Sequence, residues 1–505
     1  MKFGVDFGTT RTTVAVVDRG NYPLVSFIDA AGDDRDFIPS IVALDEDAHC
    51  VFGFEAERAA SQGRPFIRSF KRALADATIT PTSTLRLGNR DIEVIELLTR
   101  FLAYVADQVR SNSSVSEVAP GEPLEAVIGI PARAWSAQRF LTLEAFKNAG
   151  WSVIEMLNEP SAAGFEYTHR HGGTLNSRRT SVLVYDLGGG TFDASLVAAT
   201  GTSHVVLDSR GDNLLGGDDF DMVLATILAK AANITPAELG EAEWARLIDD
   251  ARIAKETLTP QSRYISAPVG GVATSAPVTD FYDDAQDLVD HTLVILDPLL
   301  DTDEDGTRVL PDHVAGLYVV GGASRLPLVS RILRARFGRR VHRSPHTGGS
   351  TAIGLALAAD ETAGYSLTER LSRGVGVFRE KESGRTLSFD PLLDPDARWT
   401  PGQSTVVTRR YRAAHNVGYY RFVEYLSTDA EGVPRGEVSP CGEVLMPFDR
   451  LLQIHDENLA QVEIVRTESG PLIEERYFVD ENGIVDVEIA DLDSGYSTRI
   501  RLGRR

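Results

Sequence analysis

Only two cysteines occur in 505 residues, Cys50 and Cys441. Thiols this far apart in sequence give neither a disulfide framework nor the paired spacing of a metal site, and they fit a reducing compartment. No apolar run approaches the roughly 18–20 residues that a membrane span needs. Basic residues are also in short supply: 51 lysines and arginines stand against 73 aspartates and glutamates, a formal net charge of −22. That balance argues against nonspecific nucleic-acid or anionic-membrane binding, and it makes a local basic pocket for phosphate more noticeable. A strand pattern begins within a few residues of Met1, with no basic start followed by an apolar signal core, so the expected location is cytoplasmic. A chain of 505 residues is too long for one core, and roughly two to four domains are expected.

What the chain does have is a repeated segment. Val5-Asp6-Phe7-Gly8-Thr9-Thr10 leads into Thr12-Thr13-Val14-Ala15-Val16-Val17. About 180 residues later, Tyr185-Asp186-Leu187-Gly188-Gly189-Gly190-Thr191 leads into Asp193-Ala194-Ser195-Leu196-Val197. Each copy reads as an apolar strand, an Asp, a glycine turn and a second apolar strand, which is a hairpin signature. Glycine lets the main chain approach closely, so each turn can wrap a phosphate with backbone N–H groups. Asp6 and Asp186 each stand where a carboxylate could hold a hydrated Mg²⁺. Two such hairpins facing each other would clamp a nucleotide triphosphate.

The rest of the first part alternates strands and helices. Ile95–Arg110 repeats apolar residues at helical spacing, from Leu97 to Val109. Ser111–Pro123 reads as an exposed loop, Leu124–Pro131 as a buried strand ended by proline, and 136–150 as a helix ended by Gly150. Residues 218–259 look mostly helical, Thr302–Asp305 is a short acidic loop, and Leu317–Gly322 is a strand running into a glycine turn. After about residue 372 the pattern becomes short alternating runs, such as Ser404–Arg410, Tyr419–Leu426 and Val462–Val465. Asp429–Pro434 is a turn cluster, and Asp480-Glu481-Asn482-Gly483 joins Arg476–Val479 to Ile484–Ile489 as a hairpin. These features predict a separate all-β domain running to the end of the sequence.

The paired Asp-Gly turns resemble the phosphate-binding hairpins of the actin-like ATPase superfamily. Further segments resemble the heat-shock protein 70 (DnaK-type) chaperone family. Phe70-Lys71-Arg72-Ala73-Leu74 is similar to the segment carrying that family's catalytic lysine. Ile130-Pro131 with Gln138-Arg139 resembles its proline switch and the arginine beside it. Asn158-Glu159-Pro160-Ser161-Ala162-Ala163 is similar to its Asn-Glu-Pro-Thr-Ala-Ala signature. Gly216-Gly217-Asp218-Asp219-Phe220-Asp221 matches its Gly-Gly-x-Asp-Phe-Asp element. Val319-Val320-Gly321-Gly322-Ala323-Ser324-Arg325-Leu326-Pro327 resembles its adenosine-binding turn. The likeness runs from residue 3 to about residue 359.

The resemblance implies a fold and a set of roles. The fold is α/β, an actin-like ATPase of duplicated ribonuclease-H-like lobes over residues 1–361, a linker at 362–370, and an all-β substrate-binding-type sandwich over 371–505. ATP or ADP with Mg²⁺ would bind in the cleft. Water attack on a γ-phosphate needs positioning and charge neutralisation more than covalent help. Lys71 would place its ammonium on the γ-phosphate and the attacking water. Asp6, Asp186 and Glu159 would hold Mg²⁺ mainly through waters, and Asp186 could accept a proton from the lytic water. Thr9, Thr10 and Thr191 offer hydroxyls, and Gly8, Gly188, Gly189 and Gly190 offer backbone, to the phosphates. Gly216, Gly217, Lys255, Thr259, Gly321, Gly322, Ser324 and Arg325 would complete the nucleotide site, with the Arg325 guanidinium stacking on adenine. Asp193 matches an acid just behind the site. Pro131 and Arg139 would relay nucleotide state.

In the β domain, Phe478–Val487 and Leu371-Ser372-Arg373-Gly374-Val375-Gly376 resemble the family's substrate-binding sandwich. The implied partners are an unfolded or extended polypeptide client and a J-domain-type co-chaperone, with no nucleic acid and no membrane. The sequence departs from the family in several places. It ends at Arg505 just after the β domain, so the expectation is a lidless form with fast peptide exchange. Ala363-Gly364-Tyr365-Ser366-Leu367 stands where the family has a run of leucines, which predicts weaker docking of the linker. The stretch from Asp221 to Lys255 is short, Arg252 stands where an acid is usual, and Gly348 and Gly349 replace an acidic pair. Two other functions remain open on the residues: a nucleotide-switched, non-catalytic adaptor for a dedicated partner, and a small-molecule kinase of the same fold.

Overall fold

Lys2–Phe7, with Phe3, Val5 and Phe7 buried, forms the central strand of a five-stranded sheet. It runs antiparallel to Arg11–Val16 and parallel to Leu124–Ile130, with Ile38–Pro39 and Trp151–Asn158 at the two edges. Ser181–Leu187 takes the same place in a second sheet. It runs antiparallel to Phe192–Thr200 and parallel to Val314–Val320, with Ser203–Asp212 and Val341–Arg343 outside them. The repeat extends to register: Asp6 lies opposite Thr13 and Asp186 opposite Asp193. The two lobes are therefore built on one topology. The computed structural model describes residues 1–115, 118–119, 121–371, 373–382, 385–395, 397–399, 405–454 and 458–504. Ser116, Glu117 and Pro120 of the expected loop, Ser372, and Ser404 at the start of one expected run lie outside the described residues.

Parallel strands need cover on both faces, and helices supply it. Val94–Ser111 buries the expected stripe of Leu97, Leu98, Phe101, Leu102, Val105 and Val109 against the first sheet. Ser136–Asn148 follows, and the chain turns at Gly150 with φ +86°. Glu159–His171 and Ser350–Ala359 cross between the lobes. Small residues permit that crossing: a Cβ on Gly354 would lie 1.8 Å from the Ala162 carbonyl oxygen. The second lobe adds a layer of Gly217–Ala231, Pro236–Glu256, the hairpin Tyr264–Val269/Val272–Pro277 and Val278–Leu296. Among the described residues no helix is long and apolar enough to cross a membrane.

The stretch expected to be a linker does not hang free. Ser366–Arg370 is a strand added in parallel to Ser203–Asp212, with His204 opposite Leu367. Leu367 is buried in the same cluster as Phe165, Val206 and Leu357. One leucine at the inward position, Leu367, seats the strand.

The last part forms two four-stranded antiparallel sheets around a shared core that includes Val377, Phe422, Ile473 and Tyr477. One contains Gly374–Lys381, Thr386–Leu393, Val417–Tyr425 and Ser439–Pro447; the other contains Thr405–Arg412, Leu472–Val479, Val485–Asp491 and Ser497–Arg501. The expected hairpin at Asp480–Gly483 is present. Val462–Val465 is not a strand. Its main chain is held by Asn416, whose side chain takes the Val465 N–H at 2.7 Å and donates to the Glu463 carbonyl at 2.9 Å.

Candidate active site

The two glycine turns meet across the cleft between the lobes. A Cβ on Gly189 would come within 2.5 Å of Thr10 Oγ1, and one on Gly190 within 2.7 Å of Thr9 Cγ2. Behind the second turn, the Gly217 and Asp218 N–H groups donate to the Gly188 and Gly189 carbonyls at 2.9 and 2.8 Å. Gly216 is pressed against this turn, since its Cβ would lie 2.5 Å from Gly190 N. Gly190 and Gly216 thus shape the cleft from behind and do not line it, whereas Gly8, Thr9, Thr10, Gly188, Gly189, Thr191 and Gly217 do. Gly321 has φ +84°, and a Cβ there would lie 2.3 Å from the Leu187 carbonyl oxygen and 2.4 Å from Asp186 Oδ1. Only glycine fits there without displacing the carboxylate.

The cleft is rich in buried charge. Lys71 lies on a short 3₁₀ turn, Phe70–Ala75, and is 4% exposed. Its ammonium donates to the Phe7 carbonyl and sits 3.1 Å from Glu159 Oε1. Burial, and then the nearby Glu159, push Asp6 up to about 7. Asp186 is held well above the ordinary carboxylate range by burial, Glu159, Asp6 and Asp193. Burial and Glu159 push Asp193 up to about 8. Lys71 opposes all three shifts and does not offset them. Lys71, with Arg133 beside Asp193, stands against four carboxylates, and a divalent cation bound among them would draw them into the charged form. Among the described residues no three side chains converge to chelate an ion directly. Asp6, Glu159 and Asp186 all line the cleft, and such carboxylates would suit Mg²⁺, which takes oxygen ligands and keeps several waters.

At the other end of the cleft, Gly321, Gly322, Ala323 and Arg325 form one wall. Lys255 faces them, with its ammonium 2.6 Å from Asp221 Oδ1 and donating to the Gly217 carbonyl at 2.7 Å. Two sequence assignments need correction. Ser324 is fully buried and lies behind the wall, where its hydroxyl has no partner among the described residues. Thr259 is exposed and caps its own turn against Ser262, outside the cleft. Sequence reasoning also missed residues that do line the cleft: Arg11, Glu256, Thr347 and Thr351. Arg11 pairs with Glu256 across the lobes. A basic residue directly after the Thr9-Thr10 turn was the available signal. Arg252 lies in the same wall, balanced by Asp249 and Glu256. Gly348 lines the cleft, while Gly349 packs on Leu24.

Pro131 and Arg139 lie outside the cleft, where the β domain meets the first lobe. Pro131 ends the buried strand. Arg139 donates to Asn158 Oδ1 and to the Asn482 carbonyl of the β domain, 3.4 Å away. Ser136 gives its N–H and hydroxyl to Glu424, at 3.0 and 2.7 Å. The Arg373 guanidinium stacks 3.2 Å from the Trp135 ring. Ile484 reaches into the core of the first lobe.

Two lobes of one topology around a glycine-lined, carboxylate-rich cleft, with a β-sandwich seated against them, define the class: a cleft-centred α/β protein with an appended β domain. The sequence model of the Hsp70 protein family matches residues 2–371, and the chain belongs to that family. It is 33% identical over 382 residues to a chaperone protein HscA homolog of Laribacter hongkongensis, covering 72% of this chain and 58% of that protein. It is 32% identical over 378 residues to an HscA homolog of Burkholderia ambifaria, with the same coverage. A chaperone protein DnaK of Mycoplasma mycoides is 26% identical over 516 residues, covering 99% of this chain and 79% of its own. The chain thus spans 58% of the length of the HscA homologs it matches.

Proposed function

We propose that the cleft binds ATP with Mg²⁺ and hydrolyses it slowly, and that nucleotide state governs how the β domain holds an extended polypeptide, as an ATP-dependent chaperone would. The observation that carries this reading is Lys71, buried and paired to Glu159 between two glycine turns. Bound Mg²⁺ supplies positive charge beside the phosphates. The turns at Gly8–Thr10 and Gly188–Thr191 supply N–H groups and hydroxyls to phosphate oxygens. Lys71 positions a γ-phosphate oxygen and the attacking water. Asp186, buried beside Glu159 and Asp6, would accept the proton of that water. Arg325 and the Gly321-Gly322 wall hold the adenosine.

The relatives are named chaperone proteins, which supports a polypeptide client; a J-domain-type co-chaperone is part of the same proposal. The contacts of Arg139, Asn158 and Glu369 support coupling between cleft and β domain. Lys71→Ala tests the proposal. It should abolish single-turnover hydrolysis and leave calorimetric ATP binding in place. Turnover equal to that of the unaltered protein would remove the catalytic role, and no heat of association with any adenine nucleotide would remove the site. Phosphate transfer to a sugar or polyol would favour the kinase reading instead.

A further inference from the structure

The wall of the cleft at Arg325, Thr347 and Gly348 has a second side. The same three residues, with Arg11, also line a neighbouring recess of about 510 Å³ between the lobes. Arg11 and Asp36 reach it from the first lobe, and Arg325 and Arg343 from the second. Gly348 and Gly349, just before the lobe-crossing helix Ser350–Ala359, complete one side, and that helix has no acid in its first turn. The Thr13 hydroxyl donates to the Gly348 carbonyl at 3.4 Å and joins the two lobes beside the recess.

Three arginines line the recess against one carboxylate, Asp36, in a chain of net charge −22. Arg11 is already paired with Glu256. Arg325 and Arg343 are exposed, and neither makes an ion pair among the described residues. Arg343 donates only from Nε, to the Thr347 hydroxyl at 3.3 Å, and its two terminal nitrogens have no partner among the described residues. Asp36 acts on Arg11 and so does not offset this pair. The arginines act on one another instead. Partial burial, and then the charges of Arg325 and Arg334, lower Arg343. Burial lowers Arg11 too, with Arg252 and Arg325 adding to the shift and Glu256 opposing it. Like charges gathered in this way favour an anion between them.

We infer that this recess is a second anion site, which takes a phosphate group and ties the lobes together beside the bound nucleotide. A guanidinium offers a phosphate two parallel N–H groups, and with its face on a base it keeps that edge free. A phosphate shared by both lobes must leave before they part. Nucleotide release then slows by one plus the ratio of phosphate concentration to its dissociation constant. That consequence rests on reading the cleft as a nucleotide site. The phosphate is carried either by a separate small molecule or by the ribose of the nucleotide itself, and the chemistry at the recess is the same.

The test is release of a radiolabelled, non-hydrolysable ATP analogue from the full chain, chased with excess unlabelled ATP. The γ-phosphate of the analogue occupies the cleft, so an effect of added inorganic phosphate does not arise there. Saturating phosphate should slow release at least about threefold, and chloride at equal ionic strength should not slow it. Arg343→Glu should abolish the effect. It should leave the melting temperature and the phosphate-free release rate unchanged, since Arg343 is exposed and does not line the cleft. Asp36→Asn should strengthen the effect, a gain that no folding defect gives. In a second arm, calorimetry compares ADP with ADP bearing a further phosphate on its 3′-hydroxyl. Tighter binding of the latter, lost in Arg343→Glu, assigns the phosphate to the nucleotide; slowing by inorganic phosphate alone assigns it to a separate ligand. Nucleotide that binds but responds in neither arm, or responds alike in the unaltered protein and both variants, would overturn the inference and leave the cleft standing. Absence of nucleotide binding would overturn both.

Discussion

Asn158 gives its backbone N–H to one oxygen of Glu369 and its side-chain amide to the other, at 3.1 and 2.8 Å. Its carbonyl oxygen accepts from Arg139, which also reaches Asn482 in the β domain. The next residue in the chain, Glu159, holds Lys71 in the cleft. One turn of backbone therefore touches the cleft, the docked strand and the β domain. Asn158→Ala removes one bond to the buried Glu369 carboxylate and one from the Arg139 guanidinium, each worth about 1.5–3 kcal/mol, and should release the β domain without emptying the cleft. Trp135 and Trp399 lie at that interface among only four tryptophans, so intrinsic fluorescence reports it. We expect the ATP-dependent fluorescence change to be largely lost while ATP still binds. A change of normal size would show that coupling takes another route.

Docking should also depend on pH. Glu155 is pushed up to about 8 by burial, with Glu369 of the docked strand and Glu481 of the β domain adding to it. Its ordinary value is 4.5. The docked state therefore binds a proton that a solvated carboxylate releases, and its stability falls as pH rises from the ordinary value through the raised one. Scattering from about pH 6 to about pH 9 should show the molecule expanding as Glu155 ionises. Glu155→Gln should hold the compact form across that range. A compact form indifferent to pH in the unaltered protein would mean that Glu155 keeps its solvation when docked.

Local chemistry explains what could be read in advance. Asp6 and Asp186 stood out because a hairpin is made by neighbours in sequence, and its glycine turn and alternation are both local. Gly321 was legible for the same reason, as the first residue after an apolar strand. The strand at Ser366–Arg370 was not legible, because only Leu367 is buried as a large apolar group and the rest of its identity comes from the free edge of Ser203–Asp212. Arg11 and Glu256 are 245 residues apart, and nothing local joins them. Val462–Val465 has strand composition, yet Asn416 intercepts its hydrogen bonds. Thr259 lies four residues past Lys255, but the helix ends at Glu256 and the chain turns out to solvent.

The glycine pair at 321–322 separates structure from binding. Alanine at Gly321 would meet the Leu187 carbonyl at 2.3 Å in a left-handed conformation, a backbone state costing roughly 1–3 kcal/mol without glycine. Gly321→Ala should lower the melting temperature of the unliganded protein and weaken nucleotide binding. At Gly322 a Cβ would meet nothing within 4 Å among the described residues, and the residue lines the cleft. Gly322→Ala should leave the unliganded melting temperature unchanged and still weaken ATP binding, if the proposed site is right and the methyl takes space meant for the adenosine. Full-strength ATP binding by Gly322→Ala would place the adenosine elsewhere.

The ion pair between Arg11 and Glu256 closes the cleft from one lobe to the other. Arg11 is pinned on its own side, with its guanidinium 4.2 Å from the Phe37 ring. Glu256 is shared with Arg252 at 3.4 Å. Both members of the pair retain contact with water, at 23% and 37% exposure, so the bond belongs with surface pairs worth about 0.2–1 kcal/mol. Opening the lobes must break it. Glu256→Ala should therefore speed release of fluorescent ADP, by at most about fivefold, and the same acceleration should appear in the unaltered protein as salt rises, since partly exposed pairs are screened. Release that responds neither to the substitution nor to salt would shift control of opening to the less exposed pair of Arg68 with Asp249, which also joins the lobes.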